Sequence, residues 1–155
     1  MSLLFVPVTQ EGLRSWVSEG RWPAGEAAFT VTAGLEDAFG VSDPEEAERI
    51  AVLVASVAAL IRGGRRLVVV AEAVPVPRPS ADPDFGEVST PELPYAAVSA
   101  IFADEARQPL VAPAAAAVAG QALAQAWDEP AVTALLSGAD LLWHGPGEWE
   151  SVLAG

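Results

Sequence analysis

The sequence predicts an α/β (α+β) domain: a single mixed sheet of five or six strands with helices packed against it. Three observations lead there. Apolar runs of strand length recur along the chain, at 3–8, 27–32, 67–76 and 97–103, with helical periodicity between them. One intervening segment, 42–62, combines start, stop and periodicity signals for a helix. The 155 residues, 52% of them hydrophobic at a mean hydropathy of +0.34, suit one shared core, so residues 1–155 are read as one domain.

Residues 3–8 form an apolar run that meets Pro7 and turns polar at Thr9, the pattern of a buried strand running into a turn. Thr9 then caps a helix over 10–19. Leu13, Trp16 and Val17 lie three and four apart on one face, and Gly20 supplies the stop. After a turn at 21–25, Phe29, Thr30, Val31 and Thr32 mark a second strand. A short helical turn follows at 35–39, closed by Gly40.

The helix over 42–62 has Ser42 and Glu45 at capping-box spacing, Pro44 at its first position and acidic residues crowding its positive end. Ile50, Leu53, Val57 and Ile61 form its expected buried stripe. Ala51, Val52, Ala55 and Ala59 leave the other side small and apolar, so both faces are expected to be covered. The β-branched run 67–76 reads as a central strand, reached from the second strand by a right-handed βαβ crossover. Four prolines make 75–84 the most mobile internal loop. Strands are expected at 85–90 and 97–103, then a weak helix capped by Asp104 and broken near Pro109 and Pro113. A helix capped by Asp128 runs to Ser137 and Gly138. A short strand at 141–144, a Gly-Pro-Gly turn and a last helical turn at 148–153 follow.

Composition narrows the function. The chain has no lysine, asparagine or cysteine, and all eight basic residues are arginine, a pattern that looks like a GC-rich genome. Thiol catalysis, disulfides and cysteine-ligated zinc are therefore excluded, as is a G-x-x-x-x-G-K-[ST] phosphate loop. With one histidine, a two-histidine metal site cannot form, so neither metal nor cofactor is expected. A formal charge of −13 repels phosphate backbones, which argues against nucleic acid. The opening residues lack a positive n-region, and the apolar run 50–61 is short of the ~20 residues that span a bilayer. A cytoplasmic protein without membrane attachment is the expectation.

Four segments together have a family likeness: Val6-Pro7-Val8-Thr9, Phe29-Thr30-Val31-Thr32 before an acidic helix, Leu67-Val68-Val69-Val70-Ala71, and Leu141-Leu142-Trp143 before an aromatic and a short acidic tail. The chain resembles an uncharacterised actinobacterial family of small α/β proteins of unknown function. His144 stands where the resemblance more often implies tyrosine, and the likeness implies a fold without an activity.

Few residues are candidates for chemistry. His144 and Glu148, four apart across a Gly-Pro-Gly turn, can bring a carboxylate to an imidazole. The favoured reading is plainer, with His144 an edge-strand ring filling a gap beside Trp143. Glu72 sits within an apolar strand and, if buried, needs Arg65, Arg66 or Arg14 as a partner. The favoured alternative turns it to water. Trp16 has core spacing, whereas Trp22, Trp127, Trp143 and Trp149 lie near turns or element ends, where a half-exposed aromatic can anchor a partner. No nucleophile elbow or triad is present. The expected function is therefore a non-catalytic binding or protein-interaction module, with a homodimer or another protein as partner. The alternative is a small enzyme or metabolite-binding domain with its pocket at the strand ends, using Glu72, His144 or Glu148.

Overall fold

The computed structural model describes residues 1–155. In chain order its elements are β1 (Ser2–Pro7), α1 (Gln10–Glu19), β2 (Arg21–Trp22), β3 (Ala27–Phe29), α2 (Ala33–Phe39), α3 (Pro44–Gly63), β4 (Leu67–Ala73), β5 (Glu87–Ser89), β6 (Leu93–Pro94), β7 (Val98–Ala103), α4 (Val111–Val118), α5 (Leu123–Trp127), α6 (Pro130–Gly138), β8 (Leu142–His144) and α7 (Trp149–Ala154). Single 3-10 turns stand at Pro83–Phe85, Tyr95–Ala97 and Pro146–Glu148. No helix is long and apolar enough to cross a membrane.

The expected sheet with helices packed against it is present, with six strands in the order β5-β3-β1-β4-β7-β8. Neighbouring strands run antiparallel. The crossover read from the sequence does connect two parallel strands, β3 and β4, but β1 lies between them and pairs with both. Burial on both faces explains their composition: along β1 and β4, Leu4, Val6, Leu67 and Val69 join one core while Phe5, Val68 and Val70 join the other. A bulge between Val70 and Ala71 shifts the register against β7. β2 and β6 form a separate two-stranded ribbon.

On one face α1 lays Leu13 and Trp16 on the sheet, and the α7 residue Val152 joins the same cluster. Each such side chain contributes roughly 1.5–3 kcal/mol through burial. Thr9 and Gly20 cap α1 as expected, the Thr9 hydroxyl accepting from Gly12 N at 2.9 Å and Gly20 adopting φ 79°.

The other face is deeper. α3 covers the sheet with Ala47, Ala51, Val54 and Ala55, and α4, α5 and α6 then pack on Val57 and Leu60 at its far side. α3 is thus covered on both sides, as its composition implies. The side that meets the sheet is the small one. Ile50, Leu53 and Ile61, expected to be buried, are half-exposed, because alanines permit a closer approach of helix to sheet. Its cap is Asp43, whose carboxylate accepts from Glu46 N at 3.0 Å; Ser42 lies one residue outside.

Other boundaries move for similar local reasons. Asp104 caps no helix, being drawn into the core as described below, and α4 begins at Val111 without a side-chain cap. α6 starts with Pro130 at its first position, with Glu129 rather than Asp128 at the cap. The 75–84 loop holds no buried residue; Val76 exchanges backbone hydrogen bonds with Ser89, and Arg78 pairs with Glu87 at 3.3 Å.

Candidate functional site

α3 packs across β3, β1 and β4 and leaves the sheet uncovered toward β7 and β8. The result is a groove of about 750 Å³. Leu3, Phe5, Val70, Ala100 and Phe102 form its floor. Val52 and Leu53 of α3 make one wall, and Leu136, Leu141 and Trp143, from α6 and the start of β8, make the other. The half-exposure of Leu53, unexpected for a core residue, is thereby explained. Four exposed charged residues stand on the rim, three carboxylates (Glu45, Glu48, Asp140) and one guanidinium (Arg49). Eleven of the sixteen lining residues are hydrophobic. A slightly larger cleft of about 780 Å³ between α1 and α7 is shallower and more open, and only four of its ten lining residues are hydrophobic, Trp149 among them. The apolar groove is therefore the better candidate site.

Trp143 stands at the mouth of the groove. It pairs across the strands with Phe102, is 61% exposed, and is followed in exposure by Leu142 at 44%. Both lie on β8, which ends the sheet: β8 pairs with β7 alone, and no further backbone hydrogen bond engages Leu142–His144.

The remaining candidate residues disperse. His144 is on β8 and half-buried, as the plainer reading has it, but it pairs with Ile101 and faces the α1 side, opposite Trp143 rather than beside it. Its Nδ1 is buried without a hydrogen-bond partner. Glu148 does not bond to it; the Glu148 carboxylate accepts from Gly145 N and fixes the turn. Glu72 is exposed at the far end of β4, away from Arg14, Arg65 and Arg66. None of Glu72, His144 and Glu148 lines any of the larger clefts.

Three of the four peripheral tryptophans are taken up by packing. Trp22 stacks on Trp16 at 5.1 Å between ring centroids, and Trp16 itself is fully buried with Nε1 donating to Leu93 O at 3.1 Å. Trp127 meets Phe39 and Phe85 edge-on at 5.6 and 6.0 Å. Trp149 is half-buried against the α1-side core. Trp143 alone presents a large exposed ring.

Sequence reasoning missed the principal buried ion pair. Arg66 precedes β4 and Asp104 follows β7, and because Leu67 pairs with Ala103 the two charges are neighbours. The Arg66 Nε donates to both Asp104 oxygens at 2.9 and 3.2 Å, and its Nη2 donates to Asp104 Oδ1 and, at 2.9 Å, to Ala139 O. Charged residues flanking two apolar strands are a signal for such a pair once the strands are known to be antiparallel neighbours. Beside it, Arg65 donates to Val152 O at 2.7 Å; burial lowers its pKa and the Asp104 charge offsets part of that shift. Tyr95, the sole tyrosine, donates its hydroxyl to Pro146 O, and burial raises its pKa.

The model of a family of unknown function (DUF6912) matches residues 3–153, nearly the whole of this fold, and the chain belongs to that family. No curated protein and no solved structure matches it.

Proposed function

We propose that this member of a family of unknown function is a non-catalytic binding module of the cytoplasm that engages a protein partner at β8 and the groove beside it. One observation carries the reading: a tryptophan 61% exposed on an edge strand paired on one side only, at the mouth of an apolar groove. Exposing such a ring to water is unfavourable, and edge strands are ordinarily blunted by charge, proline or cover; Leu142-Trp143-His144 carries no acidic residue, lysine, arginine or proline. Trp is also among the residues that dominate binding energy at protein interfaces. The groove holds no pairing of His144 with a carboxylate, which favours binding over acid-base chemistry.

The test is selection of short random displayed peptides on the folded protein, repeated on Trp143→Arg after circular dichroism shows that variant folded. Peptides should be enriched on the wild-type protein alone. Equal enrichment on both proteins, or none on either, would remove the reading. The groove's volume also falls in the range of small-molecule sites, so a thermal-shift screen with small apolar compounds addresses metabolite binding.

A further inference from the structure

We infer that the partner is a cationic polypeptide segment with an apolar core, docking as an added strand on the free edge of β8; the inference rests on the interaction-module reading above. The two edges of the sheet are treated differently. At β5 the chain covers its own edge, Val76 exchanging both backbone hydrogen bonds with Ser89 while Arg78 reaches over to Glu87 and Gly25 O. At β8 no further backbone segment pairs with the outer edge. The outward-facing backbone groups of this three-residue strand are satisfied best by another extended backbone, and side chains of the added strand would lie beside Trp143 on one face and Leu142 on the other.

Charge selects the kind of strand. Three rim carboxylates stand against Arg49 alone, and the whole chain carries −13. A second copy brings the same negative field, as do nucleic acid and anionic lipid, so each is repelled where a basic segment is attracted. An apolar residue of such a segment can pack on Trp143 at the groove mouth while a flanking arginine or lysine meets Asp140, two residues before β8; Glu45 and Glu48, on α3 across the groove, add to the negative field that draws the segment in.

The experiment takes the peptides enriched on the wild-type protein and measures their binding to the full chain by fluorescence polarisation. They should be net positive around an apolar centre, and bind more weakly as salt rises. The variant with Glu45→Gln, Glu48→Gln and Asp140→Asn should bind about tenfold more weakly. Methylating alternate backbone nitrogens of the peptide, which leaves its charge intact, should weaken binding by about tenfold or more. Neutral or acidic peptides, or an unchanged affinity in the triple variant, would overturn the cationic partner while leaving the interaction module standing. Indifference to N-methylation would overturn strand addition. A dimer in sedimentation that Trp143→Arg dissolves would give the face to a second copy and overturn the inference likewise. Binding unaffected by Trp143→Arg would defeat the interaction module itself.

Discussion

Replacing Asp104 with leucine should destabilise the protein severely, and the structure sets the scale. The side chains of Arg66 and Asp104 are 0% and 5% exposed, so the substitution leaves a guanidinium in the core with Ala139 O as its sole remaining acceptor. Breaking a buried pair in this way costs about 3–5 kcal/mol. Against a typical total of about 5–15 kcal/mol, about a fifth or more of the stability is removed. With a urea slope of about 2 kcal/mol per molar, the unfolding midpoint should fall by about 2 M. The double variant Arg66→Met with Asp104→Leu removes both charges and should recover at least half of the loss. Full recovery is not expected, because Ala139 O then loses a donor, worth about 1–3 kcal/mol when buried. Urea unfolding of the three proteins, followed by circular dichroism, decides the matter. A loss below about 1 kcal/mol in Asp104→Leu, or a double variant weaker than the single one, would refute the reasoning.

Three further outcomes are expected. Gly86 has φ 69°, and a Cβ there would lie 2.2 Å from Thr30 O, so Gly86→Ala should lower the thermal midpoint by several degrees or prevent folding; an unchanged midpoint would count against the packing of this turn. Leu60→Ala, buried between α3 and the outer helices, should cost about 2–5 kcal/mol, whereas Leu53→Ala at the groove should cost about 1 kcal/mol, and equal losses in denaturant unfolding would mean the groove is not open. For Tyr95 the folded pKa lies above the unfolded value, so its contribution is complete below about pH 10 and is lost as pH rises through the folded pKa; tyrosinate absorbance should titrate above 10.0, and Tyr95→Phe should flatten the alkaline loss of stability.

The helices and strands were legible wherever a local signal suffices. Thr9 and Gly20 bracket α1, and the β-branched run of β4 declares burial on both faces. The buried side of α3 was not, since large apolar residues lie on its groove side and alanines on its sheet side; which side wins depends on how closely the sheet approaches, a tertiary quantity. Strand order was hidden for a related reason: β1 enters between β3 and β4, and nothing in β3 or β4 specifies that insertion. The groove draws on β1, α3, β4, β7, α6 and β8, so it existed in no single segment. Trp143 was legible as a candidate anchor, yet Trp22, Trp127 and Trp149 carried the same signal and differ only in what packs upon them.

The position of β1 bears on how fast this chain reaches its native state. β1 precedes both of its sheet partners, so during synthesis it stays unpaired until β3 and then β4 follow, and Phe5 must find Phe29 and Val70 across long intervening stretches. Closing loops of that length before any strand pairing compensates for the lost entropy raises the kinetic barrier, which sets slow folders apart from helical bundles. Until then a six-residue strand, buried from Leu4 to Pro7 in the finished fold, stays available to any passing edge. Chaperone engagement and aggregation during expression should accordingly concentrate on β1, and the refolding rate should respond more strongly to substitutions at Val6 and Val69 than to any in α6.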